Sequence, residues 1–209
     1  MAFDKKQDQR NSIPEPKLLL LVRPELAPVF YDLFQAGVFV HAKIGATIQA
    51  FLCDGLGLDP QYVKERIQTV FLNGKAVDGP TSAVIPDHAV IALSAAMPGL
   101  LGATLRKGSF YAAMRSEISH AGQAAVSPHE GKVLLKLFNL LPGEIGAFLL
   151  SKGVWIKGDT LKKFLEKHLP RLAKGCIRAE MDGKTSAVES LAQQEWPADQ
   201  EVLLKVDIK

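Results

Sequence analysis

Between Gly99 and Ser109 the chain reads GLLGATLRKGS, a stretch whose residue types suit an anion. Gly99 and Gly102 let backbone approach a ligand, Arg106 and Lys107 bring positive charge, and Ser109 stands where it can cap a short helix. Arg115 falls further along that helix. A helix start offers free N–H groups and the positive end of the helix dipole, so a phosphate or carboxylate fits there. The spacing is not that of a P-loop, because the GxxxxGK[ST] pattern fails. The alternative is an ordinary linker crossing the surface. From Ala95 to Leu105 the segment is apolar, whereas linkers are usually polar. It is therefore either tucked against neighbouring structure or offers Met97, Leu100, Leu101 and Leu105 to a partner.

The other reactive side chains assemble no site at recognisable spacing. The histidines, His41, His88, His120, His129 and His168, form no HxH or HExxH pattern. His120 and His129 lie near enough in sequence to approach each other, but solvated loop histidines are the simpler reading. The carboxylates are scattered, and no serine or threonine sits in a nucleophile elbow. No catalytic residue, metal or cofactor is expected. Cys53 and Cys176 are too few for a disulfide framework and read as reduced, buried thiols. Lys162, Lys163 and Lys167 form a basic strip, which a solvated helix face explains before nucleic acid does. A net charge of +3 is small for a nucleic-acid or membrane-surface protein. No apolar run approaches the ~20 residues that span a bilayer, and the start lacks the apolar core of a signal peptide. These features lead us to expect a cytoplasmic protein.

The elements that must carry these residues occur twice. GVFV at Gly37 followed by TIQAFL at Thr47 returns, just over half the chain later, as GVWI at Gly153 followed by TLKKFL at Thr160. The apolar run at Lys17 returns at Lys132, the Asn73-Gly74-Lys turn as Asp182-Gly183-Lys, and the proline-led final strand at Pro86 as Pro197. Such a repeat predicts a duplicated structural unit. Each copy reads as strand, helical excursion, strand, helix, strand, turn, short strand and closing strand. In the first copy the strands are KLLLLV (17–22), GVFVH (37–41), RIQTVFL (66–72), 75–77 and 90–93. Pro24 opens the excursion, Thr47 caps the helix and Asp59-Pro60 starts a further turn. In the second copy the strands are 133–138, 153–157, 176–181 and 201–206. The excursion spans 143–152, and Asp159 or Thr160 caps the helix. Phe30, Tyr31, Phe34 and Phe148 on the excursions either cover the sheet and enlarge the core or line a groove for a partner.

This order, with TIQAFL opening the helix, VFLNGKAVD as strand-turn-strand and IPDHAVIAL leading into the last strand, resembles the β-grasp (ubiquitin-like) fold. The similarity is to the small sulfur carriers of molybdopterin and thiamin synthesis, over Lys17–Pro98 and more weakly Lys132–Lys209. It implies an α+β protein of two tandem β-grasp domains, 17–98 and 132–209. These would follow a disordered tail, 1–16, and be joined by a partly helical linker, 99–131. Those carriers react through a terminal Gly-Gly carboxylate, and this chain ends VDIK, so no carrier residue transfers. The four thiolates of a β-grasp ferredoxin are absent too. The expected function is a non-catalytic protein- or ligand-binding module. The alternatives are an anionic-ligand protein or enzyme using the basic linker, and a degenerate sulfur-carrier relative.

Overall fold

The run Lys17–Val22 alternates so that Leu18, Leu20 and Val22 are buried while Leu19 and Leu21 are partly exposed, the period of two that marks a strand with one covered face. It is β1 of a computed structural model that describes residues 15–95 and 127–209. The strands that follow are β2 (Val38–Ile44), β3 (Thr69–Leu72), β4 (Lys75–Ala76), β5 (Val90–Ser94), β6 (His129–Phe138), β7 (Val154–Lys157), β8 (Cys176–Met181), β9 (Lys184–Thr185) and β10 (Glu201–Ile208). The helices are α1 (Tyr31–Ala36), entered through a 3-10 segment Pro24–Phe30, and α2 (Ile48–Ala50), which runs on as a π-turn Phe51–Gly55. They continue with α3 (Pro60–Glu65), α4 (Leu141–Lys152), α5 (Gly158–Gly175) and α6 (Val188–Gln193). The protein is mixed α and β. No helix among the described residues is long and apolar enough to cross a membrane.

Among the described residues all ten strands join one sheet, in the order β4-β3-β5-β6-β2-β7-β10-β1-β8-β9. The order reads alike from either end. Each edge is a two-residue strand (β4, β9) paired to its hairpin partner (β3, β8). Then comes a parallel pair (β5 with β6, β1 with β10), then a strand at the centre (β2, β7). The halves meet at a single antiparallel pair, Phe39 opposite Trp155. Opening and closing strands trade places between the halves: β1 lies between β10 and β8, and β6 between β5 and β2. Residues 15–95 and residues 127–209 thus both contribute to each half of the sheet.

The helical excursions make this possible. β1 and β2 run parallel, as do β6 and β7, because each is related to the other by an even number of antiparallel steps. Parallel strands need a crossover, and α1 and α4 supply the two. Both lie on one face and pack on each other. Gly143 and Gly146, one turn apart on α4, back onto Tyr31 and Phe34 of α1; a Cβ on Gly146 would stand 3.0 Å from the Phe34 ring. Phe30 and Phe34 are fully buried, so the excursions enlarge the core. The described helices gather on this face above Val38, Val40, Leu135, Leu137, Ile156, Val202 and Leu204, in one continuous core.

Several local expectations shift. The third strand begins at Thr69, not Arg66, because Arg66 closes α3. α5 starts at Gly158 with no side-chain cap, leaving Asp159 and Thr160 inside its first turn. The close approach of Pro197 explains the glycine: a Cβ there would meet the Pro197 carbonyl oxygen at 2.2 Å. Thr47 does cap α2, accepting from the Ala50 N–H. Both turns carry positive φ, at Asn73 and Gly74 and at Asp182 and Gly183. The cysteines are free and only partly buried. Glu15 and Pro16, assigned above to the tail, belong to the fold: Pro16 accepts from the Leu203 N–H.

Candidate functional site: the open face of the sheet

Alternation along each strand sends one set of side chains to the helices and the other to the opposite face, where none of the described helices lies. The second set lines up across strands. Val90 is opposite Leu134, Leu134 opposite Phe39, Phe39 opposite Trp155, and Trp155 opposite Leu203. Five partly exposed apolar side chains therefore form a row over β5, β6, β2, β7 and β10. Lys17, opposite Leu203, ends it. Leu19 and Leu21 add apolar surface on β1. Charged residues stand two positions along the strands from the row: His41 on β2, Lys132 and Lys136 on β6, and Lys205 on β10.

The row is tightened by two glycines. Gly37 and Gly153, each just before a central strand, have φ of 113° and 101°. A Cβ would meet Leu134 at 2.9 Å in the first case and Leu203 at 3.1 Å in the second. Leu134 and Leu203 thus each rest on a glycine of positive φ.

At the centre, where only one residue pair joins the halves, side chains take over the bridging. The ring of Trp155 meets His41 edge-on, with centroids 4.4 Å apart, and Lys132 Nζ stands 4.5 Å above it. Lys132 also binds Glu15 and Glu201, both at 2.7 Å. The Trp155 indole N–H donates to Glu15. Burial pushes the Glu15 carboxyl up, but the bonds from Lys132 and Trp155 outweigh it and hold the group below the ordinary carboxylate range. Burial likewise presses Lys132 down, and its two carboxylate partners more than restore it, leaving it above the usual lysine value. An amine held protonated and a carboxyl held ionised serve poorly as base and acid near neutral pH. The cluster is built to fix charges in place. Beside it lies a cleft of about 360 Å³ between Phe39, Asp87, His88, Lys132 and Glu201.

Gly99, Gly102, Arg106, Lys107, Ser109 and Arg115, with Met97, Leu100, Leu101, Leu105 and His120, lie outside the described residues. His129 stands at the start of β6, bonded to Asp87 at 2.8 Å and to the Ser127 carbonyl. No group of three His, Cys, Asp or Glu residues able to hold a metal occurs among the described residues. Of the lysine strip, Lys162 pairs with Glu195, Lys163 with Asp159 and Lys167 with Asp32. The open-face cluster escaped the sequence reading because runs such as KLLLLV and VLLKLF look apolar throughout. The signal was in VFV and VWI: an aromatic residue between two β-branched ones is the single side chain pointing away from the core.

Comparison with known proteins finds no similarity: no family model, no curated protein and no solved structure matches this chain.

Proposed function

We propose that this protein is a non-catalytic protein-binding module made of two β-grasp units, and that the open face of its sheet is the binding surface. The observation that carries this is the apolar row Val90–Leu134–Phe39–Trp155–Leu203, continuous across the joint between half-sheets and rimmed by charge. A contiguous apolar patch with a polar rim is the usual mark of a protein interface. Trp155 is the central anchor, because a large ring already oriented by Glu15, Lys132 and His41 loses little freedom on docking. The partner that suits it is a folded protein with an apolar ridge bordered by both signs of charge. The duplication is supported by the matched turns, the matched glycines and the palindromic strand order. In that reading one unit is β2–β6, and the other is β7–β10 completed by β1.

The test is photo-crosslinking from single positions in living cells. A photoreactive residue at Leu134 or Leu203 should trap the same partner, and one at Lys174 on the exposed side of α5 should not. Adducts from Lys174 alone would overturn the assignment. Adducts to a second copy of this chain would replace the heterologous partner by a dimer.

A further inference from the structure

On the helical side, α1 and α5 enclose a cleft of about 310 Å³ that is independent of the open face. Its apolar lining is Leu33 and Phe164, with the exposed Ala36 of α1 beside them. Its rim is cationic: Lys163 and Lys167, one turn apart on α5, with His168 behind them. The one carboxylate present, Asp32, is engaged through the same Oδ2 by Lys167 Nζ at 2.6 Å and His168 Nε2 at 2.8 Å. His168 is nearly buried and its ring lies 5.0 Å from that of Phe164, so it forms part of the wall. The sequence could not show this site, because Asp32 and His168 come from opposite halves of the chain.

We infer that this cleft binds a small amphipathic carboxylate, its apolar body on Leu33, Ala36 and Phe164 and its head between Lys163 and Lys167. The volume is that of a pocket for a small organic molecule. Residues one turn apart on a helix face are neighbours, so the two ammonium groups are within reach of a single ligand carboxylate. Both lysines are largely exposed, with 78% and 66% of the side-chain surface free, and can turn from Asp159 and Asp32 towards a ligand. A cation would meet two ammonium groups.

The probe is octanoate, used well below its micelle concentration, with octylamine and octanol as tails bearing other heads. Titration followed by NMR should move the Ala36 methyl and His168 ring resonances saturably with octanoate. The double variant Lys163→Ala/Lys167→Ala should weaken binding about tenfold, from two exposed charge contacts. Ala36→Trp, whose ring would occupy the apolar side of the cleft, should abolish it while the lysines remain. Equal shifts with octanol or octylamine, an unchanged affinity in the lysine variant, or shifts mapping away from α1 and α5 would overturn the proposal.

Discussion

Single carboxylates do much of the joining between elements in this protein. Glu144 on α4 accepts from the Tyr62 hydroxyl at 2.7 Å and from the Arg66 guanidinium, tying α3 to α4. The Arg66 bond holds the Glu144 carboxyl below its ordinary range, and the Lys167 bond does the same for Asp32. A carboxyl whose pKa is depressed on folding stabilises the fold fully above its unfolded value and loses that contribution as pH falls through the folded value. Stability measured by urea unfolding should therefore decline as pH falls below the ordinary carboxylate range. The decline should be shallower in the variant Asp32→Asn/Glu144→Gln than in the parent; parallel curves would show that these pairs contribute nothing. Asp32 is 40% exposed, so solvent screening keeps its share below about 1 kcal/mol.

Gly158 decides how closely two elements can approach. Gly158 touches the Pro197 carbonyl and its N–H donates to Gln200. Gly158→Ala must move backbone, and we expect a loss of more than about 2 kcal/mol on urea unfolding. Gly183→Ala supplies the comparison. It has positive φ, at 78°, which Gly158 does not, and a Cβ there meets open space, so only conformational strain of about 1 kcal/mol is expected. If the two variants cost the same, close packing at Gly158 is not what the residue is for. At this scale most of the structure was legible. Turns with Asn73-Gly74 and Asp182-Gly183, the Thr47 cap and the Asp59 cap follow from local chemistry alone. The start of α5 was not legible, because its glycine answers to Pro197, far off in sequence.

At the scale of the whole molecule, the two sequence repeats are not the two halves of the sheet. KLLLLV, VLLKLF, VIALS and EVLLKV are all short apolar runs able to fill a parallel central position. Nothing local determines which neighbour each one takes. The excursions decide it, since a crossover carried by a helix delivers the next strand parallel and at a distance. The consequence is that β1 completes the half-sheet built mostly from the end of the chain. A chain lacking residues 1–23 should therefore lose protection from hydrogen exchange first in β8 and β10. Preferential loss in β3 and β5 would mean that β1 belongs with its own repeat. The candidate surface was hidden for the same reason: Leu134 is a neighbour of Phe39 only once β6 joins β2, and Phe39 a neighbour of Trp155 only where the halves meet.

The central claim is that the face bearing Trp155 is open to a partner, and Trp155 itself reports on it. Trp196 is buried, with its indole N–H bonded to the Leu191 carbonyl, so Trp196→Phe leaves Trp155 as the sole emitter. Acrylamide should quench that emission readily in the free protein and poorly once the crosslinking partner is bound. Emission already shielded in the free protein, or quenching unaffected by the partner, would contradict the account.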